Sequence, residues 1–152
     1  MARKIYTDMP TLATLIDYDR AAYNVYLAGP MTGYDEFNFP AFHAAAATLR
    51  GNHPDWNIIS PAEMDDRFGL HPEHEGMEKA EAEDAQTSNE MRSFYMRRDL
   101  PIVAHCQGFV LLDGWRESTG AAHELYVART CFLDIYRFSG GLLFPASDSE
   151  LS

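Results

Sequence analysis

Glu124 stands a few residues beyond a glycine-bearing stretch, Gly114-Trp115-Arg116-Glu117-Ser118-Thr119-Gly120, and no other spacing in the chain is better suited to chemistry. The apolar run Phe109 to Leu112 enters the stretch and a helix-forming run, Ala121 to Arg129, leaves it. That order reads as strand, loop and helix start. A helix start offers free backbone N–H groups and the positive end of the helix dipole, which together suit an anionic ligand. A carboxylate near that end is favoured in its ionised form, which fits a nucleophile better than a general acid. Spacing alone leaves a solvated surface glutamate as the commoner reading of Glu124. Ser118 reads either as the helix N-cap, the usual role of a serine there, or as a phosphate contact beside the Gly120 N–H. Gly114 and Gly120 permit close backbone approach. Asp99, just ahead of Pro101, reads as a helix cap or a solvated charge.

Other chemistry-bearing groups carry less. Cys106 and Cys131, the only cysteines, each sit in an apolar run and read as two buried thiols rather than a disulfide framework. His71 and His74 flank Pro72, which disfavours a helix presenting both on one face, so no metal is expected there. Gly29-Pro30-Met31-Thr32-Gly33 lacks both the Walker lysine and the G-x-G-x-x-G spacing of phosphate loops.

The elements that must position these groups alternate in type. Strands are predicted at 24–28, 56–61, 109–112 and 132–136, with a further edge strand at 140–144. Helices are predicted at 40–50, 90–105 and 118–130. The second has Met91, Phe94, Tyr95 and Ile102 on its buried face, and Pro101 marks a kink or a fresh start. Residues 1–22 form an appendage with a short helix within 10–16, and 62–89 form an exposed acidic excursion. The domain spans 23–146 and a polar tail follows at 147–152. Strands alternating with helices, the third strand continuously apolar, predict a single α/β domain: a Rossmann-like or flavodoxin-like parallel sheet of about five strands covered on both faces. In such folds ligands sit at the C-terminal ends of the strands, where the 28–38 and 113–120 loops both fall.

Composition limits the partners. With 152 residues and 46% hydrophobic content the chain can build one proper core. A formal net charge of −11 argues against binding a nucleic-acid polymer, though a single nucleotide can be held by local donors. No apolar run reaches a membrane span and the first residues lack a signal-peptide core, so a cytoplasmic protein is expected.

Taken jointly, Tyr26-Leu27-Ala28-Gly29-Pro30-Met31-Thr32-Gly33, Phe37-Asn38-Phe39-Pro40-Ala41-Phe42, Arg98-Asp99-Leu100 and Gly114-Trp115 with Ser118, Gly120-Ala121 and Glu124 resemble the nucleoside 2-deoxyribosyltransferase-like superfamily. The likeness runs in order from about residue 24 to 136. It is nearest to a small, mostly uncharacterised branch common in phages and bacteria, related to nucleoside 5′-monophosphate N-glycosidases. The resemblance implies that Glu124 attacks the anomeric carbon of a sugar and displaces its base, and that Asp99 orients Glu124 and assists proton handling. It implies a substrate pocket drawing on Gly29, Met31, Tyr34, Asn38, Gly114, Trp115, Ser118 and Gly120. Serine six positions before the nucleophile marks members acting on 5′-monophosphates, whereas members acting on free nucleosides carry an acidic residue there. Gln107, where the superfamily often has Asp, and the larger His123 and Trp115 depart from the pattern. The activity implied is hydrolysis of the N-glycosidic bond of a (deoxy)ribonucleoside 5′-monophosphate without a cofactor, in a homodimer or larger homo-oligomer. Base exchange between nucleosides is the alternative within enzymology, and a non-catalytic nucleotide-binding module the alternative outside it.

Overall fold

The computed structural model describes residues 12–68 and 85–152, with side chains over 12–67 and 92–152. It is an open five-stranded sheet with helices on both faces, as predicted. Strands β1 (Tyr23–Ala28), β2 (Trp56–Ile59), β3 (Gly108–Leu112), β4 (Asp134–Ser139) and β5 (Leu142–Pro145) lie in the order β2-β1-β3-β4-β5. The first four pair in parallel and β5 pairs antiparallel with β4. This is the flavodoxin-like order, in which the chain switches direction across the sheet between β1 and β3. The crevice above that switch point is where such sheets hold ligands. The β4–β5 hairpin turns on Gly140 and Gly141, whose φ angles of 58° and 78° suit a tight two-residue turn.

One face of the sheet is covered by α2 (Phe39–Asn52), whose stripe Phe42, Ala45, Ala46 and Leu49 has helical spacing. It packs on Val25, Leu27, Ile58, Val110 and Leu112. The other face is covered by α4 (Ala85–Ala104) and α5 (Thr119–Thr130), over Tyr26, Ala28, Ile59, Phe109 and Leu111. Burial on both faces explains the unbroken apolar sequence of β3 and the apolar run of β1 beyond Asn24.

The appendage is docked. Its helix α1 (Leu12–Leu15) packs on the α4 side, and Ile16 is buried. The anchor is an amide network. Asn24 Nδ2 donates to the Asp17 carbonyl at 3.0 Å and to Gln107 Oε1 at 2.9 Å. Asn24 Oδ1 accepts from the Asp17 N–H, and Asn57 Nδ2 donates both to Asn24 Oδ1 and to the Leu15 carbonyl. Residues 1–11 lie outside the described residues, as do His71 and His74.

Several sequence expectations need correcting. The second strand ends at Ile59, and Pro61 opens α3 (Pro61–Phe68) instead of merely stopping the strand. Proline's fixed φ and missing N–H are tolerated at a first helical position. The excursion therefore starts as a packed helix: Ala62, Met64 and Asp65 are buried, and 85–89 already belong to α4. That helix runs through Pro101 without restarting. Its buried stripe is Arg98, Asp99, Ile102 and Val103, while Phe94 and Tyr95 are only half-buried and the Met91 side chain lies outside the described residues. Strand β4 begins two residues later than predicted, because Phe132 sits in the left-handed C′ position after α5 (φ 59°), 92% exposed. The Leu133 N–H returns to the Ala128 carbonyl at 2.9 Å, closing the helix end in the manner glycine usually allows. Cys131 is exposed, not buried. The tail carries α6 (Asp148–Leu151), capped by Ser147 and tied to Arg137 through Glu150 at 3.0 Å.

Candidate functional site

Helix α5 presents Ala121, Glu124, Leu125 and Ala128 to the sheet, the i, i+3, i+4, i+7 positions of an amphipathic helix. Glu124 thus occupies a place where an apolar residue is normal, and it is 5% exposed. It is no surface glutamate. Asp99, 3% exposed, holds the same kind of place on α4, one turn before Ile102 and Val103. Two buried carboxyls on neighbouring helices, facing one strand, are costly unless other groups hold them.

Those groups are Tyr26, Arg98 and Asp65. The Tyr26 hydroxyl, buried in mid-β1 with its ring stacked on Phe109, donates to Glu124 Oε2. The Arg98 guanidinium donates through Nε to Asp99 Oδ1 at 2.6 Å and through Nη1 to Asp65 Oδ1 on α3. Among the described residues no hydrogen bond joins Asp99 to Glu124; they interact through charge. The orienting contact expected from Asp99 is made by Tyr26.

Protonation also departs from expectation. Burial pushes the Glu124 carboxyl well above the usual range, the nearby Asp99 charge adds to this, and the Tyr26 hydrogen bond and Arg98 oppose it. The helix dipole does not rescue the ionised form, because Glu124 is the sixth residue of α5 and the effect fades within the first turn. Burial likewise raises Asp65 to about 7, against the pull of Arg98.

The loops at the top of β1 and β3 meet. Gly114 adopts φ 86°, and a Cβ there would lie 2.8 Å from Tyr34 Oη and 3.0 Å from Pro30 Cγ. Only glycine lets the loops close this far. Gly29 is buried; its would-be Cβ is 3.0 Å from Leu112 Cβ, so its small size serves the packing of β1 on β3. Asn38 Nδ2 donates to the Pro30 carbonyl at 2.9 Å, clasping the 29–38 loop shut. Glu36, Phe37 and Asn38 are consecutively left-handed, with φ 53°, 53° and 62°. Each such non-glycine residue costs about 1–2 kcal/mol, and here buried Phe37 and the Asn38 clasp hold them. Met31 is half-buried against the α2 side. Trp115 is half-buried against the α5 side, with the Arg116 guanidinium 4.6 Å from its ring centre. Of the departing residues, Gln107 works in the amide anchor and His123 is exposed.

Ser118 is the N-cap of α5: its Oγ accepts from the Ala121 N–H at 3.1 Å, and its carbonyl accepts from Ala122. The N–H groups of Thr119 and Gly120 are those a helix start leaves free. Gly120 is half-buried against Met96. The residues singled out in the sequence thus fall on the β1 and β3 loops and on α4 and α5, and three that hold the carboxyls were not singled out for that role: Tyr26, Arg98 and Asp65. The readable signal for Arg98 was a charge at a core-facing helical position.

Elsewhere, an open cavity of about 590 Å³ lies beside β2, lined by residues that include Thr14, His43, Arg50, Asn57, Ser60 and Glu63. None of the predicted site residues lines it. Among the described residues no group of three or more His, Cys, Asp or Glu could hold a metal, and no helix is long and apolar enough to cross a membrane.

The sequence profile of the family described as Domain of unknown function (DUF4406) matches residues 23–137, from the first residue of β1 into β4. No curated protein matches the chain.

Proposed function

The chain belongs to the DUF4406 family, and from the site it carries we propose that it is a nucleotide N-glycosidase of the nucleoside 2-deoxyribosyltransferase-like kind. It cleaves the base from a (deoxy)ribonucleoside 5′-monophosphate. The observation that carries this reading is the pairing of a buried carboxyl, Glu124, held by Tyr26 and close to the Asp99 charge, with the free helix start at Ser118–Gly120 on the same helix. A carboxyl nucleophile and an anion-binding helix start about one turn apart fit a substrate whose anomeric carbon and 5′-phosphate are separated by a single sugar.

In the proposed reaction Glu124, once ionised, forms a bond to the anomeric carbon as the carbon–nitrogen bond to the base breaks, and the base leaves with a proton delivered by way of Asp99. Water then hydrolyses the glycosyl ester, as in retaining glycosidases. Ser118 and the N–H groups of Thr119 and Gly120 take the phosphate, while Met31, Tyr34 and Asn38 line the sugar and base side. A second subunit completes the site in a homodimer or larger assembly.

The test is release of free base from a panel of nucleoside monophosphates, followed by chromatography. Glu124→Ala is expected to lower the rate by at least about 10³-fold, the scale of losing a nucleophile. Base release at an unchanged rate in that variant sinks the mechanism. Supplying a second base separates hydrolysis from base exchange, since a transferase would form a new nucleoside.

One observation favours a second reading. Burial favours the neutral form of Glu124, and a neutral carboxyl is a hydrogen-bonding group, not a nucleophile. A nucleotide-binding module without turnover would show calorimetric binding of monophosphates and no base release at any pH.

A further inference from the structure

Adjacent residues on a helix point about 100° apart and do not ordinarily face each other. Arg98 and Asp99 nevertheless form a two-point contact, Nε to Oδ1 at 2.6 Å and Nη2 to Oδ2 at 3.3 Å, with both side chains almost wholly buried. Something must hold the guanidinium folded back over its own helix. Two groups do so. Asp65, reaching from α3, accepts from Nη1, and the Tyr95 ring lies 5.1 Å from the guanidinium carbon. Asp65 is itself buried, so this contact is not a surface ion pair screened by water.

We propose that Asp65 is a positioning residue: through Arg98 it fixes the carboxyl of Asp99 and sets the charge that Glu124 experiences. The proposal rests on the site reading given above and adds to it a residue from α3, a helix that carries none of the predicted site residues. The physical logic is one of compensation. Arg98 lies between two carboxyls, Asp65 and Asp99. With Asp65 ionised, the positive charge is divided between them and little is left for Glu124. With Asp65 neutral, Arg98 and Asp99 balance each other, and Glu124 gives up its proton more readily. The groups facing Glu124 are Asp99 and Arg98 on α4 and the Tyr26 hydroxyl on β1. Those facing Asp65 are Arg98 and Asp99 on α4, with Asp66 beside it on α3. Burial lifts Asp65 to about 7, so its charge changes close to neutral pH.

The experiment is a carbon-13 titration of the side-chain carboxyls in the full chain, with Glu124→Gln and Asp65→Asn assigning the two signals. Asp65→Asn is expected to lower the pH at which Glu124 titrates by at least about half a unit, and Asp65→Glu to restore it towards wild type. A residue that merely supports the fold would lower the melting temperature in both variants and leave the Glu124 titration in place. That outcome overturns the proposal. Should Asp65→Asn fail to fold, the wild-type protein carries the test, since the Glu124 signal must then show a second inflection where Asp65 titrates. A single inflection there overturns it equally. No substrate is needed, so the two readings separate. Coupled titrations without base release leave the clamp standing and remove the glycosidase. Base release with an acid limb identical in wild type and Asp65→Asn does the reverse.

Discussion

The two faces of the sheet are built on opposite principles. Under α2 the contact is dry: Phe42, Ala45, Ala46 and Leu49 meet Val25, Leu27, Ile58, Val110 and Leu112, with no ionisable group in that set. Under α4 and α5 the same sheet carries Tyr26, and the helices bring Arg98, Asp99 and Glu124 against it. A dry face gains about 1.5–3 kcal/mol for each large side chain it buries. A face with buried charges spends part of that gain on desolvation, which only hydrogen bonds and opposite charges recover. A chain selected for stability alone would have two dry faces. The second face is therefore where selection for something else is visible, and the difference needs no knowledge of the ligand.

The comparison can be broken most forcefully by Phe42→Ala. Removing that fully buried ring should cost about 3–5 kcal/mol in urea unfolding, with the Glu124 titration unmoved. A moved titration would mean that the faces are not independent. Next in size is the pH dependence that the buried carboxyls of the polar face generate. Asp65 and Glu124 have folded values above their unfolded ones, so the folded state binds their protons more tightly. Their contribution is complete at low pH and is lost as pH rises. For Asp65 the loss runs from the model-compound value of 3.8 to about 7, with a slope of at most about 1.4 kcal/mol per pH unit. Urea midpoints between pH 4 and 8 should therefore fall with pH in wild type and fall less steeply in Asp65→Asn, where only Glu124 still contributes; equal slopes in both would contradict the sign argued here. The smallest effect sharpens the boundary between fold and site: Ser118→Ala removes the α5 cap and should cost about 1 kcal/mol by thermal melting.

How much of this was legible beforehand depended on whether a residue obeyed the pattern of its own element. The sheet, its loops and the α2 stripe were readable because apolar spacing and turn residues agreed. Glu124 and Asp99 could be located through the joint likeness of the segments that carry them, yet their burial, and the raised proton affinity of Glu124, could not, because those follow from which strand lies beneath. Tyr26 was hidden inside a run of apolar neighbours. Asp65 was hidden for the opposite reason, in the polar string Glu63-Met64-Asp65-Asp66-Arg67, where only contact with α4 distinguishes it from the exposed Asp66. Phe132 was misassigned because an aromatic residue ordinarily favours a strand, whereas here it terminates a helix in a backbone conformation that only the Ala128–Leu133 closure sustains.

The amide anchor has a consequence for how the molecule is assembled during synthesis. Residues 12–17 leave the ribosome before the groups that hold them: Asn24 follows closely, Asn57 comes about forty residues later, and Gln107, which fixes the Asn24 amide from just before β3, arrives last. Until residue 107 is made, the leading segment has only part of its partner set. Its docking is therefore complete only once the chain has reached the start of β3, and an antibody or protease specific for the undocked segment would time that point on the nascent chain.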